Sequence, residues 1–182
     1  MTGRVGSSEP IPPGTCDATS GGAAASLIAF VLVMSERPAA LLLEELAHTR
    51  TRAEILSRAD RELTASEHHR LDAGLISAGH CRTGLLRTEG GIVVAQTELV
   101  ILPQRLPAEV RAALARTRMP ADGILAPLSA RRLDRRAAFC ARQLGSPGDD
   151  VAVESSAVLA IGSTKIGISA ERITRQFCQL IG

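Results

Sequence analysis

Two charged residues lie in stretches of sequence that otherwise suit the interior of a β-sheet. Arg82 belongs to a largely apolar segment, and Glu171 has Ile168, Ala170 and Ile173 as apolar neighbours in the sequence. Burying a guanidinium or a carboxylate costs free energy unless an opposite charge pairs with it. Arg82 could pair with a structural carboxylate, point to solvent or bind an anionic ligand. Arg82 and Glu171 could also form a plain ion pair with each other, or hold the two polar ends of one small ligand.

Each of these residues belongs to a predicted β-hairpin. In the first hairpin, turn residues 88–91 join the arm that contains Arg82 to a second arm, Ile92 to Leu102, which is rich in β-branched residues. The turn contains two glycines, which adopt positive φ at little cost. In the second hairpin, a short turn joins residues 151–161 to residues 165–173. The two hairpins predict a sheet that positions the two charges.

The segments outside the hairpins are less uniform. A helix is predicted from Leu106 to Arg118, with an acidic residue in its first turn and basic residues at its end. Another helix is expected to begin at residue 35 or 36, with Pro38 in its first turn. By periodicity alone, residues 52–63 could form a helix or a strand, and residues 129–142 are ambiguous.

The first hairpin resembles a motif of the chorismate pyruvate-lyases, also called the 4-hydroxybenzoate synthases. In that family an arginine starts the first arm, a glycine turn follows, and an alanine lies thirteen residues after the arginine; Arg82, Gly90 and Ala95 have this order and spacing. The family commonly has an RLP triplet after the second arm, and Arg105-Leu106-Pro107 matches it. Order and spacing together carry the resemblance, because no single motif is strongly specific.

The resemblance covers roughly residues 35 to 178 and includes the second hairpin. The family's catalytic glutamate lies on the last strand, six residues after a lysine or a similar residue, as Glu171 lies after Lys165. One loop departs from the family pattern of proline, hydrophobic residue and glycine, because it reads Pro120-Ala121-Asp122-Gly123. We expect the side chain of Asp122 to point outward, since a buried unpaired carboxylate is costly.

The fold that the resemblance implies is α+β. It consists of a single antiparallel sheet of about six strands, with helices on one side and helical flaps over an internal pocket. In this fold residues 52–63 form a strand, against their local propensity. We expect residues 1–26, which are rich in Gly, Pro, Ser and Ala, to form a disordered tail. The chorismate lyase-like domain is then residues 27–182.

The activity that the resemblance implies is elimination of pyruvate from chorismate to give 4-hydroxybenzoate, by a carbon–oxygen lyase that needs no cofactor. Arg82 would bind a substrate carboxylate through its planar fork. Glu171 would hydrogen-bond the hydroxyl end of the ring or assist proton movement. Ala121 would offer its backbone N–H to the ligand.

Two further residues are expected near the substrate. Ala39 occupies the helix in which the family usually has a polar residue close to the ligand. His80 lies two residues before Arg82, so on a strand it shares the same side of the sheet. His80 could line the pocket or be a satisfied structural histidine.

A non-catalytic function is the main alternative. The same fold occurs in the ligand-sensing domains of bacterial transcription regulators, so the fold by itself does not specify a function. In this reading the chain binds a small molecule such as an aromatic acid. Against a regulator, no helix-turn-helix pattern is visible before the domain. A third reading is an inactive or repurposed lyase homologue that binds an aromatic acid, which the altered loop at residues 120–123 allows.

Composition argues against several other classes of protein. Aromatic residues make up 2% of the chain, with no Trp or Tyr, which disfavours single-stranded nucleic-acid binding by base stacking. Four arginines, at 131–132 and 135–136, form a cluster without aromatic neighbours. We interpret this cluster as a solvated edge; attraction of an anionic substrate and nucleic-acid binding are the alternatives.

No metal site or membrane segment is expected. His68 and His69 are adjacent, so they would face apart on a helix, and the four cysteines are scattered without a CxxC pair. The apolar run from Leu27 to Met34 is too short to span a bilayer, which needs roughly 20 apolar residues. We favour a buried helix or strand there and a cytoplasmic protein, because a signal peptide would need a different flanking pattern.

Overall fold

The computed structural model describes residues 20–116, 119–140 and 150–182. The strands are β1 Thr51–Glu62, β2 Ala78–Thr88, β3 Val93–Ile101, β4 Arg131–Phe139, β5 Val151–Ile161 and β6 Thr164–Thr174. They form one sheet in the order β1-β2-β3-β6-β5-β4, and every neighbouring pair is antiparallel. This architecture confirms the predicted α+β fold with a single antiparallel sheet.

Helices connect and cover these strands. They are α1 Ser20–Met34, α2 Ala39–Ala47, α3 Ala65–Leu71, α4 Ala108–Arg116, α5 Ala121–Leu125 and α6 Arg175–Ile181, with short 3-10 turns at Pro103–Arg105 and Ala126–Leu128. Helix α4 confirms the helix expected after the first hairpin. Helix α3 begins with a capping box, in which the Thr64 hydroxyl accepts from the N–H of Glu67 and the Glu67 carboxylate accepts from the N–H of Thr64.

Both predicted hairpins are present, and their pairing forms the centre of the sheet. Strands β2 and β3 join through a turn in which Gly91 has a φ of 85°, and β5 and β6 join through Gly162, with a φ of 58°. Glycine reaches these left-handed conformations without a Cβ clash. Strand β3 of the first hairpin then pairs with β6 of the second. As a result, Thr97 lies opposite Glu171 and Leu99 lies opposite Ser169.

The two segments that were ambiguous in sequence form the edges of the sheet. Residues 51–62 form β1, which pairs with β2 along almost its whole length. The strand implied by the family resemblance is therefore confirmed, because tertiary pairing overrides local helix propensity. Residues 131–139 form β4 at the opposite edge, where an irregularity between Leu133 and Arg136 includes Asp134 at a φ of 43°.

Helix α1 extends further toward the N-terminus than the apolar run suggested. It begins at Ser20, so residues 20–26, which we expected in the tail, lie in a helix. Ala24 and Ala25 are buried against the core; such small residues carry little hydrophobic signal in the sequence. Residues 1–19 lie outside the described part of the chain. Among the described helices there is no candidate for a membrane-spanning segment.

Two core clusters occupy one face of the sheet. The α1 core packs helices α1, α2 and α6 around Ala95 of β3, and the α4 core packs α4 and α5 around Ile101 of the same strand. Side chains alternate along a strand, so Ala95 and Ile101, an even number of residues apart, share a face. A third cluster joins Leu71 of α3 to Ile168 of β6. Because Ile168 and Ser169 are adjacent in β6, α3 covers the opposite face.

Candidate functional site

A cavity of about 320 Å³ lies between the α1 core and the α4 core. Its floor is the sheet, and its walls come from the start of α2 and from the segment around α5. The larger apolar side chains in its lining are Leu43, Ile55, Leu86, Leu99, Leu125 and Leu159. No aromatic side chain lines it among the described residues. The cavity is thus largely aliphatic, with a few polar groups at defined positions.

The structure brings most of the expected site residues to this cavity. Arg82, Glu171, Ala39 and Ala121 all line it. Ala39 opens α2 and Ala121 opens α5, so both small residues leave room at the wall. The side chain of Asp122 lies outside the described part of the structure, so its expected orientation stays a prediction.

His80 does not line the cavity. Its Nδ1 lies 2.7 Å from Oδ1 of Asp60 on the neighbouring strand β1. The alternation of side chains along β2 places His80 on the same face of the sheet as Arg82. His80 lies two residues before Arg82 in the strand, beyond the residues that line the cavity. His80 thus has one hydrogen-bonded ring nitrogen, while its buried Nε2 has no hydrogen-bond partner among the described residues.

Arg82 is only 2% exposed in the cavity wall. Its Nη2 donates to the carbonyl oxygen of Met119 at 2.9 Å, which aims the guanidinium toward the segment that leads into α5. Burial, and to a lesser degree the charge of Arg58 directly across on β1, lowers the pKa of Arg82. The surroundings of this cation therefore disfavour its charge, and an anion placed beside it would stabilise that charge.

Glu171 is 7% exposed and forms its ion pair with Arg132. Its Oε2 accepts from Nη2 of Arg132 at 3.1 Å and also from the hydroxyl of Ser155, which lies directly opposite on β5. The alternative of a direct pair between Glu171 and Arg82 is not what the structure shows. The carboxylate is instead held at the cavity wall by two donors.

Arg132 is buried, which corrects the interpretation of the arginine cluster as a solvated edge. It is 3% exposed and lines the cavity. The reason is the alternation of β4, which turns Arg131 outward, with 57% of its side chain exposed, and Arg132 inward. Besides Glu171, its Nη1 lies 3.5 Å from the carbonyl oxygen of Leu32 near the end of α1. Adjacent side chains of a strand face opposite sides of the sheet, and this alternation is the signal in the sequence that separates Arg132 from Arg131.

Ser169 was also missed. It lies in β6 opposite Leu99, lines the cavity, and its hydroxyl oxygen is buried. Neither this hydroxyl nor Nε of Arg132 has a hydrogen-bond partner within residues 20–116, 119–140 and 150–182. Most buried polar atoms in proteins do have partners, so two such atoms in one cavity wall indicate room for polar groups of a ligand.

Among the described residues, two arginines and two glutamates contribute charged side chains to the cavity lining. Arg82 and Arg132 are cations, and Glu171 is the one carboxylate whose ion pair lies in the cavity. Glu98 also borders the cavity, but its carboxylate forms an ion pair with Arg61 at 2.9 Å. In the described part of the chain, no group of three His, Cys, Asp or Glu side chains could hold a metal ion. The buried guanidinium of Arg82 in an aliphatic wall is suited to binding an organic anion.

Comparisons with known proteins identify relatives of the fold only. No family model and no curated protein matches the chain. Among solved structures, a possible transcriptional regulator, YydK, from Bacillus subtilis superposes with a TM-score of 0.50 and 10% identity; the match covers 71% of this chain and 60% of YydK. The ligand-binding domain of a putative GntR-family transcriptional regulator from Bordetella bronchiseptica gives a TM-score of 0.49 and 12% identity, over 69% of this chain and 83% of that one. At this identity, the likeness to YydK shows a shared fold.

Proposed function

We propose that this chain is a small-molecule binding domain whose ligand is an organic anion with an apolar body about the size of one substituted ring. The observation that carries the proposal is Arg82, a buried arginine in the wall of an aliphatic cavity of about 320 Å³. Ligand pockets commonly have volumes of about 300–1,000 Å³, with an apolar lining and a few placed polar groups. A guanidinium matches the planar fork of a carboxylate.

Two further points support binding as the primary role. The carboxylate of Glu171 is engaged by Arg132 and Ser155 on the same oxygen, which suits a fixed wall element. The fold is shared with YydK, which is described as a possible transcriptional regulator.

We also retain the cytoplasmic location as a prediction from the scattered cysteines.

The test is calorimetric titration of the folded protein with benzoate, 4-hydroxybenzoate and chorismate. We expect binding of at least one of these anions, and Arg82→Ala should weaken it by roughly 30- to 1,000-fold, because the variant loses a charge-assisted bond to a buried carboxylate. Arg87→Ala is the matched control. Arg87 is on the same strand, is partly exposed and pairs with Glu54 outside the cavity. Wild-type affinity in a folded Arg82→Ala variant would contradict the proposal.

A cofactor-independent chorismate lyase is the second candidate. It is favoured by the presence of Arg82 and Glu171 in one cavity, together with Ala121, as the family resemblance implies. Arg82 would hold a carboxylate of chorismate, and Glu171 would face the ring hydroxyl. Incubation with chorismate distinguishes the two candidates. Release of pyruvate and 4-hydroxybenzoate that Arg82→Ala abolishes would establish the lyase, whereas saturable binding without turnover would establish the binding domain.

A further inference from the structure

The polar end of the cavity contains two hydrogen-bonding groups that nothing in the described residues satisfies. One is Nε–H of Arg132, on a side chain that is 3% exposed, and the other is the hydroxyl of Ser169. Both residues line the cavity. The Nε–H can only donate a hydrogen bond, whereas the hydroxyl can donate one or accept one.

The path of the Arg132 side chain brings these groups to one place. In the sheet, Arg132 lies opposite Leu159 of β5, which in turn lies opposite Gly167 of β6. Its guanidinium nevertheless reaches Glu171, four residues farther along β6. The side chain therefore runs diagonally over the sheet from one cross-strand row to another.

The row that Arg132 must cross consists of Ala157 on β5 and Ser169 on β6. Ala157 is 0% exposed, and its small side chain lets the arginine pass over it. Nε lies partway along the arginine side chain, between its backbone and the guanidinium nitrogen that binds Glu171. The Nε–H and the Ser169 hydroxyl consequently border the same part of the cavity.

Leu99, an apolar residue, separates the part of the cavity beside Ser169 from Arg82. Arg82 lies opposite Leu99, and Leu99 lies opposite Ser169, so the three share one row. Two strand spacings put the backbones of Arg82 and Ser169 on the order of 10 Å apart. A ligand held by Arg82 can therefore span Leu99 with its apolar body and present a second polar group to Ser169.

We propose that Ser169 and Arg132 form a subsite for a neutral oxygen acceptor, such as a carbonyl, on the ligand that Arg82 binds; this inference rests on the proposed function. A carbonyl oxygen has two lone pairs and accepts both hydrogen bonds. A second carboxylate is disfavoured there, because Glu171 already balances the charge of Arg132 at 3.1 Å and would repel another anion. The ligand class is thus a monocarboxylate with an uncharged oxygen substituent at its far end.

The experiment compares 4-acetylbenzoate with 4-isopropylbenzoate, which have nearly the same size and differ in the replacement of the carbonyl oxygen by a methyl group. Calorimetric affinities are measured for the wild type, for Ser169→Ala and for Ser163→Ala, a control in the exposed turn of the same hairpin. We expect the preference for the acetyl compound over the isopropyl compound to fall by roughly 5- to 10-fold in Ser169→Ala, the value of one hydrogen bond. Ser163→Ala should leave the preference unchanged. Terephthalate, with a second carboxylate, should bind the wild type less tightly than 4-acetylbenzoate.

The outcomes separate the two proposals. An unchanged preference in folded Ser169→Ala, or tighter binding of terephthalate, overturns the subsite while the carboxylate-binding function stands. If benzoate, 4-hydroxybenzoate, chorismate and both 4-substituted benzoates all fail to bind the folded wild type, the proposed function fails and the subsite falls with it.

Discussion

The ion pair between Arg132 and Glu171 shows how a buried charge pair can hold two side chains in a cavity wall. Both side chains are almost fully buried, and Ser155 supplies a further hydrogen bond to the carboxylate. A pair of this kind adds little net stability over an apolar replacement, because both charges must be removed from water. Its value here is positional, since it fixes the carboxylate and holds the arginine across the sheet.

Removal of one partner should be much more costly than removal of an exposed arginine. Arg132→Met leaves Glu171 buried without its cation, and we expect a loss of about 3–5 kcal/mol in the free energy of unfolding. Urea denaturation measures this loss. Arg131→Met, at the exposed neighbouring position, should change the same free energy by less than about 0.5 kcal/mol. Equal effects of the two substitutions would show that the buried pair is not formed in solution.

At the scale of the elements, Arg105 joins parts of the chain that are far apart in sequence. Its Nη1 donates to the carbonyl oxygens of Leu71 and Lys165, each at 2.7 Å, and its Nη2 donates to that of Asp72 at 2.7 Å. One guanidinium thus links the end of α3 to the β5–β6 hairpin. The arginine of the Arg105-Leu106-Pro107 triplet therefore has a structural role.

Loss of this link should destabilise the fold without removing the cavity lining. Arg105→Met deletes three hydrogen bonds from a charged donor, and we expect about 2–4 kcal/mol less stability in urea denaturation. Arg111→Met, on the exposed side of α4, is the matched control and should be nearly neutral. A neutral Arg105→Met would mean that water replaces these bonds at little cost.

At the scale of the whole molecule, carboxylates with lowered pKa values connect separate elements. The Arg61 side chain of β1, through its hydrogen bond, lowers the pKa of Glu67 in α3 below the ordinary value of 4.5. In the same way Lys165 of β6, through its hydrogen bond, lowers the pKa of Asp72 below the ordinary value of 3.8. A lowered pKa in the folded state means that unfolding takes up protons in acid. These contacts therefore stabilise the fold above the ordinary pKa values, and their contribution is lost as the pH falls through the folded values.

We accordingly expect the urea midpoint to fall steadily between pH 6 and pH 3. Glu67→Gln removes one of the responsible groups, so this variant should be less stable at pH 6 and lose less stability on acidification. The measurement is a series of urea denaturation curves for both proteins across this pH range. Parallel pH profiles would show that Glu67 does not titrate differently in the folded and unfolded states.

Local chemistry was sufficient to predict much of the fold. Two glycine-containing turns, each between arms rich in β-branched residues, identified the hairpins, because positive φ and strand propensity are properties of a few neighbouring residues. Helix α4 was predictable from its terminal charges in the same way. The apolar context of Arg82 and Glu171 indicated that each would need a partner if it were buried, and it left open whether Arg82 points to solvent.

Tertiary structure alone decided the partners. Residues 51–62 form a strand because β2 offers a pairing edge, which overrides their own helix propensity. Arg132 reaches Glu171, and the row with Ala157 and Ser169 lies beneath it, only because β4 pairs with β5 in a particular register. Local sequence does not encode the register between distant strands; it depends on which faces the completed core buries. The sequence therefore identified the hairpins that carry Arg82 and Glu171, and the packing of the sheet decided that Arg132 is buried beside them and what each charge contacts.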